Sequence, residues 1–273
     1  MAILTQEQVD FYNDYGYVIV RQLIDQETVE VLRDALQRAL NGKHEGMRRW
    51  IEKKDPEGRR ILAKAERFWN TDPILQNFIQ TSKVGEVAGQ LMETDEVRLF
   101  FDELVYKEPK IGGWIPCHQD YDSFREVSTP RIATAFVATS KVDKENGCMY
   151  MIRGSHKWGL IDRIFSFPTT DAGPDDFLRI DVPEPQRSQI IRDSIELEPG
   201  DVSFHHGLTI HASYVNDSDR PRIGWAHHYL PSDARYIAAN DMVHNHEIEA
   251  KDGEPINSKN FPLAWRKAEV IST

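Results

Sequence analysis

The chain has 273 residues, of which 40% are hydrophobic and 28% are charged, proportions typical of a globular protein with a substantial core. Its net charge of −11 repels phosphate backbones, which argues against nucleic acid as a partner. No run of about 18 apolar residues is present, so we expect no membrane span. Two cysteines and a first segment that is neither basic nor apolar predict a cytoplasmic protein without disulfides.

The N-terminal segment carries the signals of a helix followed by a strand. Thr5 and Gln8 form a capping-box pattern, which predicts the start of a short helix. Gly16 is expected to end that helix, and residues 17–20 are expected to form a short strand.

Further helices are predicted in the remainder of the first 95 residues. Asp25 is the expected N-cap of a second helix, in which apolar residues recur at helical spacing. Two more helices are expected near 73–81 and 84–93. The charged residues 43–68 favour neither helix nor strand.

From about residue 96 the sequence changes to short β-like segments separated by turn residues. Asn146-Gly147 is a tight-turn signal that joins the apolar run before it to the run after it. Several short strands at this spacing predict a sandwich or a jelly-roll barrel. The predicted strands cover residues 97–101, 104–106, 132–139, 148–152, 195–198, 202–206, 209–215 and 223–230.

We therefore predict a mixed α/β, mainly β fold that forms a single domain over 1–273. Residues 1–95 are expected to be helical support, 96–235 a sandwich or jelly-roll core, and 236–273 a C-terminal extension. The irregular stretch 160–192 is rich in Pro, Asp and Gly. We interpret it as a lid over the mouth of the barrel, and a surface loop without a role is the alternative.

His118 and Asp120 are the first candidate metal ligands. In a strand, residues i and i+2 point to the same face, so this imidazole and carboxylate can bind one metal side by side. A third ligand from a distant strand would complete a facial triad with open positions. A His-x-Asp pair alone is a weak signal, and a surface pair in a turn is the alternative.

A second cluster of polar residues follows in β-like sequence. His211 lies in an alternating segment and can supply the third ligand, whereas His205 and His206 can equally be packing residues. Arg222 begins the next predicted strand, which we expect beside that of His211 in the same barrel. Arginine suits the carboxylate of a cosubstrate, because its planar fork binds carboxylates bidentately. A surface ion pair is the alternative, and alternation does not separate Arg222 from Arg220.

Taken together, these segments resemble the phytanoyl-CoA dioxygenase family of Fe(II)/2-oxoglutarate oxygenases. The resemblance runs over most of the chain, and several motifs together are more specific than any one of them. Its densest parts are Cys117-His118-Gln119-Asp120, Asn146-Gly147-Cys148-Met149, Gly154-Ser155-His156, Gly200-Asp201-Val202, His206-Gly207-Leu208 and His211-Ala212-Ser213 through to Arg222.

The resemblance implies a double-stranded β-helix (jelly-roll, cupin-like) core over 96–235. It also implies Fe(II) on His118, Asp120 and His211, with Arg222 binding 2-oxoglutarate. The implied reaction consumes O₂ and 2-oxoglutarate, releases succinate and CO₂, and oxidises a small organic molecule, most simply by hydroxylation. Related halogenases have a small residue where this chain has Asp120, so the carboxylate argues for an oxygenase.

The resemblance also implies which residues contact the cosubstrate. Ser213 and Gln119 match positions that often touch it. Phe136 stands where many members have Trp, which leaves the shape of the cosubstrate pocket open. Tyr121 and Phe124, just after Asp120, are candidates to line the substrate pocket, and ordinary core aromatics are the equal alternative.

Other histidines are interpreted as structural. His227 and His228 are expected to face the pocket and the solvent respectively, and His244 with His246 is expected to lie in a solvated loop. The rival functions are a non-catalytic jelly-roll binding protein and a metal-dependent hydrolase or isomerase that does not use 2-oxoglutarate. The sequence does not identify the substrate or the oligomeric state.

Overall fold

The computed structural model describes residues 2–41, 49–161, 182–240, 242 and 244–268. The α-helices in these ranges are α1 (Gln6–Tyr15), α2 (Gln26–Asn41), α3 (Pro73–Thr81) and α4 (Lys83–Met92). The strands are β1 (Tyr17–Val20), β2 (Arg49–Lys54), β3 (Arg60–Glu66), β4 (Glu96–Lys107), β5 (Ile115–His118), β6 (Ala133–Ala138), β7 (Met149–Ile152), β8 (Arg192–Ile195), β9 (Val202–His206), β10 (His211–Ser213), β11 (Arg222–Pro231) and β12 (Leu263–Arg266).

The strands form two antiparallel sheets, so the predicted mainly β jelly-roll fold is confirmed. The large sheet has the order β1-β9-β6-β11-β4-β3-β2, and β12 also pairs with β4. The small sheet has the order β5-β10-β7-β8. Apolar side chains from both sheets share one core cluster, for example Phe136 of β6 with Met149 and Met151 of β7. The two sheets therefore face each other across a common interior.

Local sequence signals account for the start of the chain. The predicted capping box is present, because Thr5 and Gln8 each bond the backbone of the other. Gly16 ends α1 with a left-handed φ of 82°, a conformation that residues with a side chain rarely adopt. Asp25 also acts as predicted, since its Oδ1 accepts the backbone N–H of Thr28 at 2.8 Å.

The charged residues that favoured neither helix nor strand include a β-hairpin. β2 and β3 pair with each other and extend the large sheet beyond β4. Ala63 and Ala65 of β3 are buried against the helices, whereas Lys64 faces the other way and pairs with Glu103 of β4 at 3.0 Å. Charged side chains are common on such outer strands because they discourage further pairing, and they obscured the alternation.

The Asn146-Gly147 turn forms as predicted, but it does not close a hairpin. Asn146 and Asp143 bond each other's backbone N–H groups at 2.8 and 3.0 Å. Gly147 has a φ of 87°. The strands on either side, β6 and β7, belong to different sheets. The turn therefore carries the chain from the large sheet to the small one.

The long strand β11 lies at the centre of the fold and is buried along its whole length. Trp225 and Tyr229 pack on the side of the helices, whereas Ala226 packs between the sheets. Alternation therefore points Arg222 and His228 toward the small sheet. No helix within the described ranges has the length and apolarity needed to cross a bilayer.

Candidate active site

The predicted metal ligands meet at the end of the small sheet. His118 and His211 lie directly opposite each other on β5 and β10. Asp120 lies just beyond β5 in a 3₁₀ turn (Asp120–Ser123), not on a strand as the i, i+2 argument assumed. Its Oδ1 is 3.5 Å from the Nε2 atoms of both histidines. One donor atom from each residue falls within 4.8 Å of the others.

Backbone carbonyls orient both imidazoles. His118 Nδ1 lies 2.8 Å from Pro116 O, and His211 Nδ1 lies 3.0 Å from Thr209 O. A carbonyl only accepts, so each Nδ1 carries the hydrogen and each Nε2 presents a lone pair to the centre of the site. This is the arrangement that metal-binding histidines adopt in proteins.

Burial and neighbouring charges set the protonation states. Burial alone would raise the pKa of Asp120, but His211, His228, His118 and His205 around it hold that pKa well below its usual range. Burial and the adjacent His118 hold the pKa of His211 well below its usual range. A carboxylate and neutral imidazoles are the forms that bind a metal ion. His118, with a side chain 20% exposed, is the most exposed of the three predicted ligands.

The second carboxylate oxygen of Asp120 is held by the large sheet. Thr134 Oγ1 lies 2.6 Å from Asp120 Oδ2, and His205 Nε2 lies 2.9 Å from the same atom. From the sequence His205 could equally be a packing residue, because its contact with Asp120 depends on how the two sheets face each other. No local pattern identifies such a contact.

Arg222 faces the metal ligands from the other sheet. It begins β11 in the large sheet, whereas His211 is in the small sheet, so the expectation that their strands are neighbours is wrong. The Arg222 side chain is 1% exposed, and its Nε and Nη1 have no hydrogen-bond partner among the described residues. Burial lowers the pKa of Arg222 to about 10, which leaves the guanidinium charged at neutral pH.

Phe136 fixes the position of this guanidinium. The centroid of its ring is 4.6 Å from Arg222 Cζ, within the range of a cation–π contact. Gly224 makes the contact possible, because a Cβ at that position would lie 2.0 Å from Phe136 Cε2. A ring larger than phenylalanine would have less room here.

Arg220, the alternative to Arg222, is in a different environment. Its Nη2 lies 2.7 Å from Asp143 Oδ2, and its side chain is 42% exposed. The guanidinium is therefore already paired at the surface, whereas that of Arg222 is buried in the pocket.

Lys107 is a functional candidate that the sequence did not reveal. Its side chain is fully buried, and Nζ donates to Ser213 Oγ at 2.8 Å and to Tyr214 O. Burial, with the charge of Arg222 beside it, holds the pKa of Lys107 well below its usual range. Ser213 lines the pocket together with Arg222, so Lys107 supports the pocket wall through this hydrogen bond, and contact of Ser213 with the cosubstrate stays a prediction.

Three other predicted site residues do not line the pocket in the described part of the chain. Gln119 is buried, and its Nε2 donates to Gly159 O at 2.8 Å and to Leu208 O at 2.7 Å. The hydroxyl of Tyr121 donates to a backbone carbonyl at 2.9 Å. Phe124 packs edge-on against Phe100 in a core cluster. These contacts are structural, and a role in binding stays a prediction for each residue.

The remaining histidines correct two expectations. His228 faces the pocket, whereas His227 packs against Trp225 on the helix side, with ring centroids 4.1 Å apart. Both are buried, because β11 is covered on both faces. His244 is also buried, with Nδ1 2.8 Å from Glu126 Oε1, so it does not lie in a solvated loop.

The predicted lid, 160–192, falls largely outside the described residues. Its described end, from 182, contains a 3₁₀ turn (Gln186–Gln189) and reaches β8 only at its last residue, Arg192. Residues 162–181 are not described, and the role of a lid stays a prediction.

Comparison with known proteins finds a family model that covers most of the chain. The family model for phytanoyl-CoA dioxygenase (PhyH) matches residues 12–224. A phytanoyl-CoA dioxygenase of Arabidopsis thaliana is 26% identical over 286 residues, which cover 93% of this chain and 96% of the relative. The peroxisomal phytanoyl-CoA dioxygenase of Rattus norvegicus is 24% identical over 248 residues, which cover 86% of this chain and 71% of the relative.

Solved structures share the fold. The α-ketoglutarate-dependent carbocyclase SnoK from nogalamycin biosynthesis superimposes with a TM-score of 0.77 at 24% identity, and the match covers 96% of both chains. The epimerase SnoN, solved with Fe³⁺, α-ketoglutarate and nogalamycin RO, has a TM-score of 0.72 at 24% identity and covers 95% of this chain and 98% of its own.

Proposed function

This chain belongs to the phytanoyl-CoA dioxygenase family and is a non-haem Fe(II)/2-oxoglutarate-dependent oxygenase, and on that premise we propose that it hydroxylates a small organic metabolite at the site formed by His118, Asp120 and His211. One molecule of 2-oxoglutarate and one of O₂ are consumed, and succinate, CO₂ and the hydroxylated product are released. The observation that carries the proposal is the buried guanidinium of Arg222, which faces the same pocket as the three metal-ligand candidates.

The donor set fits Fe(II). Two imidazoles and one carboxylate, with donor atoms within 4.8 Å of one another, are the ligand set of non-haem iron oxygenases. Both histidines present Nε2 because their Nδ1 hydrogens are used by backbone carbonyls. When bound, the iron supplies the redox chemistry through which O₂ and 2-oxoglutarate oxidise the substrate.

The pocket wall fits a dicarboxylate. Arg222 Nε and Nη1 are buried without a partner among the described residues, and an unpaired buried donor is costly. A carboxylate from the cosubstrate would accept from this guanidinium and offset that cost. Ser213 lies in the same pocket wall and adds a hydroxyl. Phe136 covers one face of the guanidinium. The ring shields that face from water and restricts the orientation of the guanidinium plane.

The residues that line the pocket indicate which kind of substrate it could bind. Lys64, Glu103, Val105 and Ile115 line the pocket together with His118. Lys64 is paired with Glu103 at 3.0 Å, so this cation is already neutralised. No cluster of free basic residues suited to the phosphates of coenzyme A stands out in the sequence, which favours a small uncharged or mixed-charge metabolite over a CoA thioester. A cytoplasmic location and the absence of nucleic acid partners also stay predictions.

Succinate formation tests the proposal. The protein is incubated with Fe(II), 2-oxoglutarate and ascorbate, and succinate is measured with and without a panel of candidate metabolites. A non-catalytic binding protein or a metal-dependent hydrolase would release none. Mass spectrometry then identifies the substrate as the panel member that gains one oxygen atom.

Single substitutions of the proposed ligands provide the control. His118→Ala, Asp120→Ala and His211→Ala should each abolish succinate formation while the circular dichroism spectrum is unchanged. A variant that keeps near-normal turnover would remove that residue from the ligand set.

A further inference from the structure

The two carboxylate oxygens of Asp120 have different surroundings. Oδ1 faces the ligand atoms, 3.5 Å from Nε2 of His118 and 3.5 Å from Nε2 of His211. Oδ2 points to the large sheet, where Thr134 Oγ1 approaches to 2.6 Å and His205 Nε2 to 2.9 Å. One oxygen is thus free to bind a metal, and the other is held by two hydrogen bonds.

The direction of these hydrogen bonds follows from the donors. A carboxylate only accepts, so the Thr134 hydroxyl and the His205 Nε2–H both donate to Oδ2. Because the hydroxyl hydrogen of Thr134 is used, its oxygen accepts from His228 Nδ1, which lies 3.0 Å away. All three side chains are buried, so water does not compete for these bonds.

The backbone holds the three donors in one row. Thr134 on β6 is directly opposite His205 on β9 and directly opposite His228 on β11. The row therefore crosses three adjacent strands of the large sheet, and its geometry is fixed by the strand register rather than by flexible loops. Asp120, in contrast, lies in a 3₁₀ turn, and it needs such external support to keep one orientation.

Building on the proposed function, we propose that Thr134 and His205 are positioning residues that hold Asp120 Oδ2 off the iron, so that Asp120 binds through Oδ1 alone. A carboxylate that bound through both oxygens would occupy an extra position on the metal. An octahedral ion with one oxygen from Asp120 and two imidazoles keeps three positions open. Bidentate 2-oxoglutarate needs two of them, and O₂ needs the third.

Metal binding to the apoprotein tests this inference independently of turnover. Thr134→Val removes the hydroxyl but keeps the shape, whereas Thr134→Ser keeps the hydroxyl. His205→Phe removes the donor, whereas His205→Gln keeps an N–H donor. Co(II) affinity is measured by titration calorimetry, and the visible absorption of the bound Co(II) reports its coordination number.

We expect Thr134→Val and His205→Phe to bind Co(II) about 10–100-fold more weakly than the wild type, with a changed absorption spectrum. Thr134→Ser and His205→Gln should restore much of the affinity. Thr139→Val is the matched control, because the Thr139 hydroxyl is also buried but has no partner among the described residues. That variant should bind Co(II) like the wild type.

The outcomes separate the inference from the proposed function. If Thr134→Val and His205→Phe, both folded by circular dichroism, keep wild-type Co(II) affinity and spectrum, the positioning role is overturned. If His211→Ala also keeps Co(II) affinity, the metal site itself is wrong, and the proposed function fails with it. Loss in His211→Ala alone leaves the site intact and rejects only the role of Thr134 and His205.

Discussion

Lys107 and Arg222 lie directly opposite each other on β4 and β11, and both side chains are buried. Neither has a salt bridge to a carboxylate among the described residues. Burying two cationic groups side by side is unfavourable, and here burial lowers the pKa of both. A dianionic cosubstrate at this end of the pocket would offset this cost.

Arg222→Ala should raise the Kd for 2-oxoglutarate strongly. Removing the guanidinium leaves a buried carboxylate unpaired, at a cost of about 2–5 kcal/mol, whereas metal affinity should not change. Arg220→Ala is the matched control, because Arg220 is paired with Asp143 at the surface, and it should have little effect. Titration calorimetry on the metal-loaded protein without O₂ measures both, and the reverse order of effects would move the carboxylate site to Arg220.

Lys107→Met should weaken 2-oxoglutarate binding less than Arg222→Ala does. Methionine keeps the apolar length of the side chain, but Ser213 Oγ and Tyr214 O lose their donor. Ser213 Oγ is then no longer held toward the cosubstrate, and the loss of one hydrogen bond between them would cost about 0.5–1.5 kcal/mol, or roughly a twofold to tenfold rise in Kd. Lys141→Met, at an exposed lysine, is the control. If Lys107→Met and Lys141→Met have the same Kd for 2-oxoglutarate, Lys107 is excluded from the site.

Wild-type enzyme should oxygenate its substrate even in excess chloride, because Asp120 supplies a protein oxygen where a halide would have to bind. Asp120→Gly should lose hydroxylation, and chloride binding alone does not produce halogenation, since misplacing a substrate by about 1 Å can cost a hundredfold in rate. Product mass in chloride buffer decides the question. A chlorinated product from the wild type would contradict the oxygenase assignment.

The contribution of Asp102 to stability should fall as pH rises toward neutrality, because burial raises the pKa of Asp102 to about 7. In the unfolded chain this carboxyl titrates near 3.9, so between the two values the native state holds a proton that the unfolded state has released. Each pH unit in that window costs about 1.4 kcal/mol from this group.

Asp102→Asn, which cannot titrate, isolates the contribution of Asp102. Trp225 Nε1 donates to Asp102 Oδ2 at 3.0 Å, and the amide oxygen of asparagine can accept the same bond. The free energy of unfolding is measured with urea at about pH 5 and about pH 7. Its change from the lower to the higher pH should be about 2 kcal/mol less favourable in the wild type than in the variant. Parallel changes in the two proteins would mean that Asp102 is ionised throughout.

The features that were predictable from the sequence are those decided within a few residues. The capping box of Thr5 and Gln8, the left-handed Gly16 and the cap at Asp25 all depend on contacts between near neighbours. The spacing of short β-like segments between turn residues, from which the mainly β fold class was predicted, is equally local.

Features that depend on how the sheets meet were not predictable in this way. The turn at Asn146-Gly147 is local, but which sheet receives the next strand is decided by distant packing. Lys107 at the end of β4 and His205 within β9 read as ordinary strand residues. Their contacts with Ser213 and Asp120 join positions about 85 or more residues apart, and no short-range pattern encodes them.

The division of the site between the sheets has a mechanical consequence. His118 and His211 belong to the small sheet and Arg222 to the large one, so a cosubstrate held by the iron and by the arginine acts as a strut across the sandwich. Facing sheets lie about 10 Å apart, and the strut resists both their separation and their approach. Binding 2-oxoglutarate should therefore slow amide hydrogen exchange in β10 and β11 together, although no hydrogen bond joins these strands, and an oxo acid of another length would fit the gap poorly.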